Sequence, residues 1–237
     1  NDPIYHQALE QLARLAEGED CTACATLQRL LEASHAMNHG QQDAALARLN
    51  TIEPTLDADS PPDLAQQLHA IRAEGLRSIG DFAGSIAQAV AAYQLAEREG
   101  DAEQMVDLTT LLAIDNAELG DFQRADVQIR DAIALAERHH DSYRLALAWL
   151  NLGHLRAREN RRDAQRDALL TTLQMTRGKR DFAGTEVIAL SNLSDYYLYR
   201  KDWPQALEYA HRAEALARQL GKQRALSVAT INAGIAL

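Results

Sequence analysis

The sequence predicts an all-α protein built from stacked pairs of antiparallel helices, and two observations support this. Hydrophobic residues make up 46% of the 237 residues but aromatic residues only 5%. The apolar content is mostly Ala and Leu, which are the strongest helix formers. Gly40, Gly80 and Gly120 recur at intervals of 40 residues. A fixed period of this length indicates repeated two-helix units that stack on one another as an α-solenoid.

The sequence around each period marker predicts a tight turn between two helices. Residues 80–82, 120–122 and 201–203 read GDF, GDF and KDW, and Asn160 continues the series. The Asp of each triplet is a natural helix N-cap, and Pro204 suits a first helical turn, where its missing N–H costs nothing. Small residues follow the markers in phase, which allows close helix packing: Ser85, Ala125, Ala206, Ala92, Ala132 and Ala213.

The period divides the chain into repeats within one predicted solenoid that covers 1–237 and contains about 12 helices. A capping helix is expected within residues 1–20. Five two-helix repeats follow, at about 25–61, 62–101, 102–141, 142–181 and 182–222. Residues 223–237 form the first helix of a truncated sixth repeat.

Three segments resemble the tetratricopeptide-repeat (TPR) family. Residues 149–153, 190–197 and 202–207 read WLNLG, LSNLSDYY and DWPQAL. The first two resemble the opening of the family's first helix, and the third resembles the turn and second helix. The resemblance covers about 25–237, although 161–165 (RRDAQ) departs from the small-residue pattern. It implies an α-solenoid of helical hairpins that binds proteins or peptides, each helix about one turn longer than in the usual 34-residue repeat.

Placed on the family pattern, the first helix of each repeat lines a concave binding groove. Asn151, Asn192 and Asn232 share one position, at spacings of 41 and 40 residues. An amide side chain both donates and accepts hydrogen bonds, so such a ladder suits an extended peptide backbone. Asn is also common at this position whatever the ligand, so a structural ladder is the alternative. The other predicted groove residues are His154, Arg158, Asp195, Tyr199, Glu74 and Arg77, with Asp107, Thr110 and Glu118 giving the groove an acidic middle.

The two cysteines, Cys21 and Cys24, are close enough in sequence for a local disulfide, and inert thiols are the alternative. A redox-active pair favours a βαβ setting, and a zinc site needs about four ligands. His35 and His39 do not complete such a site, because eleven helical residues at about 1.5 Å each place Cys24 some 16 Å from His35. We therefore expect no metal and no cofactor. A disulfide would indicate an oxidising compartment.

Composition excludes several function classes. The net charge of −10 argues against nucleic acid or an anionic membrane surface as a partner. No apolar run approaches the roughly 20 residues that span a bilayer. The sequence contains no Gly-rich phosphate loop, no HExxH helix and no candidate Ser-His-Asp set. We therefore expect a non-catalytic chain whose partner is a protein or peptide, with homodimer formation left open.

Residues 189–197, which read ALSNLSDYY, resemble the TPR sensor regions of proteobacterial membrane-bound GGDEF diguanylate cyclases. That resemblance implies a periplasmic region ahead of a transmembrane helix and a cytoplasmic cyclase domain. The start at Asn1, without Met, is expected for a processed or excised segment. The alternatives are a cytoplasmic TPR scaffold and the peptide-binding domain of a transcriptional regulator.

Overall fold

The structure is a computed structural model that describes residues 22–56 and 60–237. The capping helix predicted within 1–20 lies outside these residues. The described residues form eleven α-helices, two 3₁₀ turns and no strand, so the all-α, TPR-like fold class is confirmed. The α-helices are α1 (Thr22–Asn38), α2 (Gln42–Ile52), α3 (Pro62–Ser78), α4 (Phe82–Glu99), α5 (Ala102–Glu118), α6 (Phe122–Arg138), α7 (Ser142–Arg158), α8 (Arg162–Thr176), α9 (Ala183–Tyr199), α10 (Trp203–Gln219) and α11 (Gln223–Ala236). The 3₁₀ turns are Glu53–Thr55 and Arg180–Phe182.

The chain divides into two compact units between Gly120 and Asp121. In the first unit each helix from α1 to α5 packs on the next, and α1 also contacts α3. In the second unit α6 to α11 pack in chain order, with further contacts between α7 and α9 and between α9 and α11. Each unit is thus built from local helix–helix contacts, as a repeat fold requires. The repeat boundaries and the single-solenoid organisation stay predictions.

The period markers occupy the left-handed backbone region. The φ angles are 77°, 85° and 84° at Gly40, Gly80 and Gly120, and 58° and 57° at Asn160 and Lys201. A left-handed residue after a helix lets the chain reverse direction while satisfying the last carbonyl groups. Asn160 and Lys201 therefore adopt the turn conformation that glycine adopts at the other markers, as their place in the 40-residue series predicts.

The amide that follows most of the left-handed residues closes the turn. At the Gly80 turn, the Asp81 amide donates to the Leu76 carbonyl at 2.9 Å. This bond, five residues back, is the defining contact of the Schellman motif. It recurs at the amides of Gln41, Asp101, Asp141, Arg161, Asp202 and Lys222.

The aspartates of the markers begin the following helices. The Asp81 carboxylate accepts a hydrogen bond from the Gly84 amide at 2.9 Å, and the Asp202 carboxylate accepts one from the Gln205 amide at 3.3 Å. Each bond satisfies a donor that the first helical turn leaves unpaired. A three-residue signature therefore ends one helix and starts the next.

The in-phase small residues lie between the helices. All six are fully buried: Ser85, Ala92, Ala125, Ala132, Ala206 and Ala213. Between α7 and α11 the larger core residues include Leu150, Leu169, Leu190 and Leu193. Small side chains on the second helices leave room for these leucines, which positions the first helices side by side.

Candidate binding surface

In the second unit, α7, α9 and α11 are each the first helix of a predicted repeat. Each of them carries one of the three predicted ladder asparagines. Contacts join α7 to α9 and α9 to α11. Asn151 and Asn192 are half-buried, whereas Asn232 is only 9% exposed. The sequence position is shared, but the three side chains have different surroundings.

Asn192 is hydrogen-bonded across to the neighbouring first helix. Its Nδ2 lies 2.6 Å from His154 Nε2 on α7. An amide nitrogen only donates, so His154 accepts through Nε2 and is then neutral with its proton on Nδ1. The pKa of His154 is lowered because nearby protein atoms desolvate the ring, even though part of the side chain remains exposed. Both features favour an uncharged imidazole.

The Asn232 side chain contacts the backbone of α9. Its Nδ2 donates to the Ser191 carbonyl oxygen at 3.3 Å and is buried there. This bond joins α11 to α9, so Asn232 has a structural contact, as the alternative interpretation of the ladder expects. Within the described residues, the Asn151 side chain has no hydrogen-bond partner. Asn151 is therefore the ladder member with an amide most available to a ligand.

The remaining predicted residues of this unit lie at its surface. Arg158 on α7 and Asp195 on α9 are exposed, and Tyr199 is 56% exposed at the end of α9. The guanidinium carbon of Arg162 lies 4.6 Å from the centre of the Tyr199 ring. Sequence reasoning missed Arg162, although it belongs to the segment 161–165 that departs from the repeat pattern. That departure was the available signal.

In the first unit the predicted Glu74 and Arg77 lie on α3 and Asp107 lies on α5. Desolvation by surrounding atoms raises the pKa of Glu74, Arg77 opposes this, and Asp107 raises it further. The carboxyl groups of Glu74 and Asp107 therefore interact electrostatically. The acidic middle of the groove stays a prediction.

Asp115 on α5 is a buried carboxyl group that sequence reasoning missed. It is 0% exposed, and neither carboxylate oxygen has a hydrogen-bond partner of good geometry. Burial raises the pKa of Asp115, and nearby Glu118 raises it, while the Ser85 hydroxyl and Arg77 act in the opposite direction. An uncompensated buried carboxylate destabilises a fold.

The structure describes only part of the residues on which the cysteine and metal predictions depend. Cys21 lies outside the described residues, so its pairing with Cys24 stays a prediction. The rings of His35 and His39 stack with centres 4.0 Å apart. In the described part of the chain, no three His, Cys, Asp or Glu side chains come together as a metal site would need. Over the same residues, no helix has the length and apolar character needed to cross a membrane.

No protein-family model matches this sequence, and neither does any curated protein. Solved structures do resemble the fold. A Rap protein complexed with Competence and Sporulation Factor matches with a TM-score of 0.79 and 15% identity, covering 93% of this chain and 61% of that one. The quorum sensor NprR from B. thuringiensis, in its apo form, matches with a TM-score of 0.71 and 12% identity, covering 98% and 68% of the two chains.

A third similar structure is a signal transduction ATPase from Pyrococcus horikoshii with a tetratricopeptide repeat sensor. It gives a TM-score of 0.77 at 13% identity and covers 98% of this chain. This chain spans only 34% of that protein and 61% of the Rap protein. At such identities the likeness shows the fold alone, and that fold is a TPR-like helical repeat.

Proposed function

We propose that this chain is a non-catalytic peptide-binding region, and that its ligand lies along α7, α9 and α11. The observation that carries the proposal is the surface of α7 and α9. There Asn151, which has no partner among the described residues, lies on the helix adjacent to exposed Asp195 and Tyr199. The bound complex of the similar Rap protein supports a ligand-binding role for this fold.

The predicted residues of α7 and α9 have distinct roles in this proposal. The Asn151 amide donates to and accepts from a peptide backbone. Asn192 keeps one hydrogen bond to His154, so its carbonyl oxygen and its second N–H are offered to a ligand. Tyr199, backed by the Arg162 guanidinium, presents an aromatic face to an apolar or cationic side chain. Asp195 and Arg158 then select the charge of the ligand.

We further propose that the chain is the periplasmic sensory part of a membrane-bound signalling protein such as a GGDEF diguanylate cyclase. The similarity of residues 189–197 and the close cysteine pair support this origin. The peptide-binding domain of a transcriptional regulator is the alternative, favoured by the likeness to the quorum sensor NprR. A cytoplasmic scaffold is the third candidate. The gene that surrounds this segment distinguishes them, because a membrane span and a GGDEF domain beyond Leu237 would support only the sensor.

A mass measurement before and after alkylation tests the compartment independently. In a periplasmic protein we expect Cys21 and Cys24 to form a disulfide, which alkylation leaves unmodified. Addition of two alkyl groups to the protein isolated from its native host without reductant would contradict the periplasmic origin. The peptide-binding proposal would stand in either case.

Selection from a displayed library of random dodecapeptides tests the peptide-binding proposal. We expect selected peptides to bind the chain, and their Kd to rise about 30-fold after the double substitution Asn151→Ala with Asn192→Ala, because two lost hydrogen bonds at about 1 kcal/mol each cost about 2 kcal/mol together. Gln174→Ala with Gln219→Ala removes two exposed amides from the second helices and is the matched control. Failure to select any peptide, or equal Kd values for both double variants, would overturn the proposal.

A further inference from the structure

A cavity of about 630 Å³ lies between the N-terminal halves of α9 and α11. Its apolar walls include Val187 and Ile188 on α9 and Ala225 and Val228 on α11. The volume falls within the 300–1,000 Å³ typical of small-ligand sites. Asn192 also lines this cavity, so it adjoins the proposed peptide surface.

One end of the cavity is positively charged. Lys222 and Arg224 line it at the start of α11. The Lys222 ammonium lies close to α9. A methyl group added at Gly184 would be only 3.2 Å from Lys222 Nζ. Within the described residues neither cation has an acidic partner. This concentrates unpaired positive charge beside the apolar walls.

The start of α11 also offers unpaired backbone donors. Its N-cap is Lys222, whose side chain makes no capping bond, whereas α4 and α10 are capped by Asp81 and Asp202. The first N–H groups of an uncapped helix point away from the helix and favour an anion. Two cations at the same helix end are electrostatically unfavourable unless an anion binds there.

Ser191 supplies a separate observation inside the cavity. This residue lines the cavity and is 7% exposed, and its hydroxyl has no hydrogen-bond partner. A buried hydroxyl without a partner costs about 1–3 kcal/mol. The backbone carbonyl of Ser191 is already satisfied by Asn232. The hydroxyl is therefore the polar group of this side chain that has no partner within the fold.

We infer that this cavity binds a carboxylate attached to an apolar body. The carboxylate lies at Lys222, Arg224 and the free N–H groups of α11, the apolar body packs on Val187 and Val228, and the Ser191 hydroxyl donates to a polar atom of the ligand. A carboxylate fits better than a phosphate because the walls are mostly apolar and the charge is confined to one end.

Two sources supply this chemistry, namely the C-terminal residue of a bound peptide and a free fatty acid. For the peptide source the inference rests on the proposed function. Three probes separate the sources: acetyl-Gly-Leu-Leu as the free acid, the same tripeptide as its C-terminal amide, and decanoate. Amide chemical shifts in ¹⁵N NMR report where each probe binds, and their titration gives each Kd.

We expect the free acid to shift the amides of Gly184, Ser191 and residues 223–225, and to bind about tenfold more tightly than the tripeptide amide. Lys222→Gln should weaken the free acid about five- to tenfold. Lys201→Gln, an exposed lysine of the same unit, is the matched control and should change nothing. Ser191→Ala should weaken binding without loss of thermal stability, since it removes a hydroxyl that has no partner in the fold.

The outcomes separate this inference from the proposed function. If selected dodecapeptides bind but neither C-terminal amidation nor Lys222→Gln changes their affinity, the carboxylate inference fails and peptide binding stands. If decanoate binds here and no peptide binds anywhere, the cavity serves a fatty acid and the peptide proposal fails. Shifts confined to amides outside α9 and α11 for every probe would overturn the inference.

Discussion

The two units have the same backbone pattern but different side chains on their first helices. In the first unit, α3 and α5 carry carboxyl groups in desolvated surroundings, with the pKa of Glu74 and Asp115 raised. In the second, α7 and α9 carry amides and an imidazole with a lowered pKa, and the start of α11 carries unpaired cations. The repeat therefore determines turns and helix packing, while the first-helix surface varies freely. The variable positions are where binding chemistry differs between the units.

The largest expected effect concerns the feature that the units share. Leu68 and Leu193 are almost fully buried, one in each unit. Replacement of either by Ala should lower the free energy of unfolding by about 2–5 kcal/mol, because it removes buried contacts and leaves a cavity. Urea denaturation followed by circular dichroism measures this.

The comparison between the units would break if one of these variants lost less than about 1 kcal/mol while the other unfolded. That result would show that the cores of the units are not equivalent. Leu237→Ala, at a 92% exposed position, is the control and should leave the denaturation midpoint unchanged.

The second expected effect separates the units. Asp115→Asn should raise the free energy of unfolding at neutral pH by about 1–3 kcal/mol, because it removes a buried carboxylate without partners. The pKa of Asp115 is raised in the folded state. Its stabilising contribution is therefore fully present below the unfolded pKa and is lost as pH rises through the folded pKa.

Denaturation midpoints measured across pH test this prediction. The native chain should lose stability as Asp115 ionises, and Asp115→Asn should lose less over the same interval. Glu99→Gln, at an exposed carboxyl of the same unit, is the matched control. Identical pH profiles for the native chain and Asp115→Asn would show that the pKa of Asp115 is the same in the folded and unfolded states, which contradicts the raised pKa.

A smaller effect is expected at His154 in the second unit. Its pKa should lie below the ordinary histidine value, and Asn192→Ala should move it upward by removing the donor to Nε2 and admitting water. Asn151→Ala should leave it unchanged. Histidine ¹H NMR titration measures both, and an equal pKa in the native chain and in Asn192→Ala would contradict the assigned hydrogen bond.

The His154 shift also fixes the direction of a stability change. A folded-state pKa that is lowered means that the unfolded chain binds more protons near that pH. The associated stability is therefore present above the unfolded pKa and is lost as pH falls through the folded pKa. Asp115 and His154 thus act in opposite directions, which separates the acidic unit from the amide-bearing one.

The repeat period predicted most of the fold but only part of the site. Lys201 stands where three other markers are glycines, and the period predicted a tight turn there, which the structure forms with a left-handed residue. The same period treated Asn151, Asn192 and Asn232 as equivalent, yet their partners depend on how adjacent first helices approach one another. Of the two adjacent tyrosines, Tyr196 is the more buried, at 2% exposure, and Tyr197 packs against the core from a half-buried position.

The sequence did not predict the roles of Arg162 and Lys222 for one physical reason. Arg162 lies over Tyr199 and Lys222 lies over Gly184 through contacts between different helices. Such contacts depend on interhelical packing, which a one-dimensional pattern does not contain. Asp115 was missed for a different reason. A single carboxyl group within an apolar stripe is expected at the surface, and only the structure shows that it is buried.

The smallest expected effect sharpens the comparison at the marker turns. The first unit has Gly80 at its turn and the second has Lys201, both with positive φ. Lys201→Gly should raise the free energy of unfolding by up to about 1 kcal/mol. A non-glycine residue in this backbone region destabilises the folded state by roughly 1–2 kcal/mol, and the greater entropy of glycine in the unfolded chain offsets part of the gain. Gly80→Ala should lower it by a similar amount. Thermal denaturation of both variants measures the pair, and a loss of stability in Lys201→Gly would show that the lysine side chain itself contributes to the second unit.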